Sequence, residues 1–562
     1  MHVARALLAS SALGLLLASC SPQPTQTEAP PAATPASADG AVPLFEGLGT
    51  HTRPIAAANP EAQRYFDQGL AFMYGFNHDE AIRAFKKAAE LAPQAPMPWW
   101  GVALANGPHI NFPIVPPDKA QAAWEALTKA RELAKNGSEV EQGLIEAVGK
   151  RYANPQPEDR KPLDEAYASA MRALSAKYPQ DDDVAALFAE SMMDLRPWDL
   201  WTHDGKQQPG TDEILRTLET VLARSSRHPL ALHLYIHSIE MSPNPEKADQ
   251  AASTLRDLVP ALGHLVHMPS HIDVRTGRFQ QAIETNVRAE QADRTYREKV
   301  PKQNFYRVYM AHNHHMRTFA SMMLGRSAEA IQTIDTMVAE IPPDWARENA
   351  FIVDGLLAMP WEVRMRFGKW EELLAMPDLP ESFPIARSLR HAARGIAYAV
   401  TGKKEEARAE QKAFEQVRAT VAEDATFGNN AGRGILEVSA HLLEGELSFQ
   451  EGDRKKGLAE LRSAVEKEDA LRYDEPPDWI TPVRHALGAA LIQDKKYAEA
   501  EKVYRADLQK LPGNGWSLFG LGRALRLQGK TKEADTVEAQ FKEVWATSDV
   551  TLHASCFCQP GV

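Results

Sequence analysis

The sequence predicts an all-α superhelical solenoid of antiparallel helix pairs. Three observations carry that expectation. A set of small, bulky and helix-stopping residues recurs after 34 residues near the C-terminal end, and its spacing reappears near the N-terminal end. Helical apolar periodicity fills the chain between, with few strand signals. Glycine and proline punctuate that periodicity at helix lengths.

The chain's elements follow in order. Arg5 precedes an apolar stretch, Ala6 to Ala18, that is too short to span a bilayer as a mature helix. It ends in Leu17-Ala18-Ser19-Cys20, which resembles a bacterial lipobox. That resemblance implies a signal peptide over 1–20, acylation at Cys20 and attachment to a membrane through the N-terminal lipid. Ser21, where aspartate would direct retention, favours the outer membrane, with the body facing the periplasm. Residues 21–58 read as a disordered tether, rich in Pro and Ala over 21–43.

The first helix pair is "YFDQGLAFMYGFNHDEAIRAFKKAAELAP", Tyr65 to Pro93. Gly69, Ala81 and Ala88 let two helices approach, Phe72 and Phe85 fill the space between, and Pro93 stops the second. Gly488, Leu491, Ala500, Tyr504 and Pro512 repeat those offsets, and Gly522, Leu525 and Ala534 follow 34 residues on. Weaker units lie around "ARGIAYAVTGKKEEARA" and "LLEGELSFQEGDRKKGLAEL". The pattern resembles the tetratricopeptide repeat, strongly at both ends of 60–548 and degenerately between. The resemblance implies repeats over 59–228, 229–345 and 346–548, followed by a cysteine-containing tail, 549–562. It specifies architecture and says little about activity.

The central block carries the chemistry. Nine of the eighteen histidines fall between His228 and His315, where even scatter gives about three. Repeat units start at Pro229, Gly263 and Ala311, with an insertion around "YREKVPKQNFYRVY" before the third. In that register His233 and His237, then His264, His267 and His271, then His312 and His315 sit on three successive first helices. The resemblance implies that these positions line the concave groove. Glu240 follows on the same face, and Glu190 falls at a groove position of an earlier unit. His109, on a Pro-rich loop, is a weaker candidate.

Offsets of three and four residues share a helix face, so two imidazoles from one helix can meet one ion. Neutral imidazole suits copper, zinc and iron, and seven histidines exceed one ordinary site. The expected cofactor is therefore a transition metal, in more than one ion. Glu240 or Glu190 would bridge the ions or act as a base in metal-assisted oxidation or hydrolysis. His233 is followed by Leu234, so this is not the metalloprotease HExxH motif. The competing reading is a non-catalytic scaffold whose groove holds a partner protein or peptide in envelope assembly. His228 reads as a turn residue. His314 points to the paired helix, and His391, His441 and His485 stand alone.

Pro269 falls inside an expected helix. Either the helix kinks there, or it starts at Pro269 and His264 and His267 ride on the preceding turn. The tail holds His553, Cys556 and Cys558, which admit a second metal or redox site, a Cys-x-Cys disulfide, or a frayed end. A net charge of −12 disfavours nucleic acid. Walker, dinucleotide and G-x-S-x-G motifs are absent from the sequence.

Overall fold

The computed structural model describes residues 42–559, whose regular structure is almost entirely helical. Cys20 and the expected signal peptide, residues 1–20, lie outside the described residues. The first pair is Pro60–Tyr74 and His78–Leu91, opened by Asn59 and Asn77, whose side chains accept from the Ala62 and Glu80 amides. Such caps satisfy backbone donors that a helix start leaves orphaned. A Cβ on Gly69 would stand 2.5 Å from the Phe85 ring, so glycine is what lets these helices close. At the other end come Val483–Gln493, Tyr497–Lys510, Gly515–Leu527 and Thr531–Val544. There Tyr504 wedges between Gly488 and Gly520, where a Cβ at either glycine would collide with its ring.

The apolar interior forms two large clusters. One runs from Ile55 to Met310 and the other from Val274 to Cys558. They meet in the central block. The helix Phe279–Lys299 gives its first turns to the second cluster, and Tyr296 near its end to the first. The helix Tyr306–Met323 does the reverse. The histidine-bearing helices therefore sit at the junction of both cores.

Three expectations change. Residues 42–58 are not tether. The Tyr65 hydroxyl donates to the Val42 carbonyl, Gln68 Oε1 accepts from the Phe45 amide, and Arg53 pairs with Asp181 and Asp183. The insertion between units two and three is helical at both its ends. It lengthens Phe279–Lys299, and the next helix starts at Tyr306 rather than Ala311. The tail is not frayed either. Asp549 accepts from the Ser327 and Ala328 amides, and Ser555 Oγ donates to the His485 carbonyl at 2.7 Å.

At Pro269 the structure combines the two alternatives. A new helix opens there, but His264 and His267 ride on a short helix rather than a turn, joined to it through Met268 in helical conformation. One short helix spans Gly263–His267 and the next opens at Pro269. With no N–H on Pro269, the ladder resumes with His271 N donating to the Met268 carbonyl. Among the described residues the named strands are one hairpin, Thr426–Phe427 with Asn430–Ala431. No described helix is long and apolar enough to cross a membrane.

Candidate metal centre

Six of the seven expected histidines converge as two triads. Ring nitrogens of His233, His237 and His264 lie within 4.8 Å of one another, and so do those of His267, His271 and His312. The helix Pro229–Ile239 supplies His233 and His237, and the helices Gly263–His267 and Pro269–Arg275 supply His264, His267 and His271. His312 comes from Tyr306–Met323. The triads adjoin, with 5.8 Å between the His264 and His267 rings and 5.5 Å between those of His237 and His271.

The surroundings fix the tautomers. His233 Nδ1 lies 2.7 Å from the Tyr74 carbonyl, which can only accept, so Nδ1 carries the proton. His267 Nδ1 donates to Asn286 Oδ1 at 2.6 Å, and the Asn286 amide nitrogen is itself fixed on the Ala282 carbonyl. Glu240 accepts from His237 Nδ1 at 2.7 Å through one oxygen and from His271 Nδ1 at 2.5 Å through the other. Each of these rings therefore turns Nε2 inward. His233 Nε2 then faces His264 Nε2 at 3.1 Å, and His267 Nε2 faces His271 Nε2 at 2.8 Å. His237 Nε2 is buried without a partner. In the second pair both Nδ1 protons are committed, so the two Nε2 lone pairs repel unless a proton or a metal ion lies between or beside them. In the first, His264 Nδ1 has no partner, and a proton on His264 Nε2 makes the contact a hydrogen bond to His233. Nδ1 held by a carbonyl or carboxylate, with Nε2 presented, is the usual support of metal-binding histidine.

Electrostatics agree. Burial pushes His233, His264, His267 and His312 well below the ordinary imidazole range, so they are neutral ligands. His271 is the exception. Burial works to lower it, but the Glu240 carboxylate outweighs that and raises it. Burial would raise Glu240, yet His271 and His237 hold it at about 2.

The centre opens on a cavity of about 410 Å³. His237, His264, His271, His312 and His315 line one side, with Trp198 and Tyr309 beside them. The opposite wall comes from the hairpin and the segment after it, through Phe427, Asn429, Asp474 and Asp478. Gly428, at φ 53, brings the hairpin close, and a Cβ there would run into both aspartates. Trp198, also at positive φ, sets its ring edge-on to His237 at 5.2 Å and anchors its indole N–H on Asn111 Oδ1.

Several expectations need correction. His315 lines the cavity but belongs to neither triad, its ring 6.5 Å from His312. Glu190 is not at the centre: it lies in the charge network of Arg151 and Asp194, with burial pushing it up to about 7. Glu240 orients two histidines with both oxygens, so it is placed as a positioning carboxylate rather than a free base. His553 is exposed and lines a separate small pocket, and Glu446 takes its place beside Cys556 and Cys558, which are bridged.

Two other histidines of the central block have partners outside the centre. His314 faces Glu290 and Glu340 on the neighbouring helices. His228 caps its helix through Nδ1 and meets Asp183 through Nε2. The His51–Asp183–His228 group resembles a ligand set, but Arg53 and Tyr74 bind the same carboxylate, so it is a satisfied ion network. The Tyr74 carbonyl, Asn286 and the residue 426–478 wall carry no motif that sequence reading could have caught.

No family model matches the chain, and no curated protein matches it. Among solved structures it is similar to the human IFIT1 dimer with PPP-AAAA, at 14% identity over 85% of this chain and 89% of that one, TM-score 0.32. It is similar to yeast Tom70, at 11% identity over 86% and 92%, TM-score 0.31. The APC/C hetero-tetramer Cut9-Hcn1 gives 11% identity over 87% and 74%, TM-score 0.29. All are distant, so the helical-repeat architecture rests on the helix pairs described above.

Proposed function

We propose that this chain is a metal-binding helical-repeat protein that holds two transition-metal ions, one in each histidine triad, beside a ligand cavity. The observation that carries this reading is the convergence of six buried imidazoles into two triads, in one of which the His267 and His271 Nε2 atoms stand opposed at 2.8 Å with both Nδ1 protons committed outward. An all-nitrogen, uncharged set suits copper or zinc better than magnesium or calcium.

Bound ions would supply Lewis-acid or redox chemistry to a cavity ligand. The chain's own residues do the rest. Glu240 holds His237 and His271 in one tautomer and links the triads. Asn286 and the Tyr74 carbonyl fix His267 and His233. Phe76, 4.4 Å from the His233 ring, helps close the centre from behind. A partner-binding scaffold alone gives no reason for six imidazoles to converge in two buried triads. We further infer that Cys20 anchors the protein in the cell envelope, which the Leu17–Cys20 sequence supports. Elemental analysis of untagged protein tests the metal reading, and mass analysis of the N-terminal peptide tests the anchor.

A further inference from the structure

We propose that the chain carries a second metal site, of thiolate type, formed by Cys556, Cys558 and Glu446 after reduction of the Cys556–Cys558 bridge, and that it takes one thiophilic d10 ion, Cu+ or Zn2+. This site shares no residue with the histidine triads and does not depend on them.

The three side chains already offer ligand atoms within 4.8 Å of one another. Glu446 is fully buried on the helix Gly432–Glu451, and its Oε1 has no partner. Gln559 engages the other oxygen. A cavity of about 30 Å³ lies here, with both cysteines, Glu446, Arg366 and Thr481 around it. The tail is held on both sides independently of the bridge. Ser555 Oγ meets Tyr504 at 2.6 Å, and Gln450 Nε2 donates to the Cys558 carbonyl at 2.9 Å. Reduction therefore leaves the sulfurs near Glu446.

Charge also balances. Arg366 is buried over the Trp516 ring at 3.3 Å and donates to His485 Nδ1. Two thiolates around Cu+ leave one negative charge when Glu446 keeps its proton, as burial favours, and two thiolates and the Glu446 carboxylate around Zn2+ leave one as well. The Arg366 guanidinium beside the cavity offsets it in either case. Soft sulfur donors favour both ions. A small dithiol supplies two electrons and two protons to the bridge and leaves as its own disulfide. Both thiol protons are then released when the ion binds.

The test uses the full chain with Cys20→Ser, so that only Cys556 and Cys558 carry thiols. Oxidised and anaerobically reduced protein are titrated separately with Cu+ and Zn2+ against chromophoric chelators. The reduced form is expected to bind one more equivalent than the oxidised form. That equivalent disappears in Cys556→Ser and in Cys558→Ser, weakens about 10-fold or more in Glu446→Gln, and survives in His267→Ala/His271→Ala. The arm that shows it identifies the ion. Equal binding by oxidised and reduced protein overturns the proposal, as does an extra equivalent that persists without Cys558.

Discussion

His267 and His271 set their Nε2 atoms 2.8 Å apart while Asn286 and Glu240 hold both Nδ1 protons on the far sides of the rings. Both rings are fully buried, so water cannot screen the contact. A shared proton or a metal ion resolves the repulsion, and the neighbouring His312 favours the ion.

The outer partners should matter nearly as much as the ligands. Asn286→Leu frees the His267 tautomer, and Glu240→Gln weakens the hold on His237 and His271 together. Each is expected to lower metal affinity about 10- to 100-fold. Chelator competition checks this, with circular dichroism confirming the fold. Wild-type affinity in both variants would show that orientation by these groups is not needed.

Metal binding should fall in two steps as pH is lowered. Burial would lower His271, but Glu240 raises it above the ordinary histidine value, whereas burial drives His233 and His264 far below. Protons therefore compete first in the triad of His267, His271 and His312, and later in the other. Ion content measured after equilibration across descending pH should show one class released before the second. Simultaneous release contradicts the assignment.

Glu362 makes stability fall as pH rises. Both its oxygens are buried without partners, and burial pushes it from 4.5 up to about 8. The folded chain keeps a proton that the unfolded chain loses between those values, so stability drops through that window and levels off above it. Glu362→Gln removes the penalty, at about 1.4 kcal/mol per pH unit. Its melting temperature should exceed wild type at pH 9 and approach it at pH 4. An equal difference at both pH values would contradict the burial argument.

Asp549 ties the tail to the central block by capping the helix Ser327–Glu340 from outside it. Asp549→Ala should cost about 1 kcal/mol, as loss of an N-terminal cap does. Urea unfolding with unchanged slope and a lower midpoint would confirm it, and an unchanged midpoint would not.

The two ends of the fold were legible because their glycines and aromatics have a packing reason. Phe85 fits only between Gly69 and Gly101, and Tyr504 only between Gly488 and Gly520. The repeat register also placed six triad histidines on one inner face. It could not place Tyr74, Asn286 or Asp474, because a carbonyl, a lone asparagine and a wall some two hundred residues away in sequence leave no local pattern. Glu190 was misjudged for the related reason that register gives a face but not a neighbour, and its neighbours are Arg151 and Asp194.

Metal content per chain, measured on untagged wild-type protein and on His267→Ala/His271→Ala, tests the central claim most directly. Two ions per chain are expected in the wild type, with the ion of the His267 triad lost in the variant and the other kept. A wild-type chain with far less than one ion, or a variant with unchanged content, would contradict it.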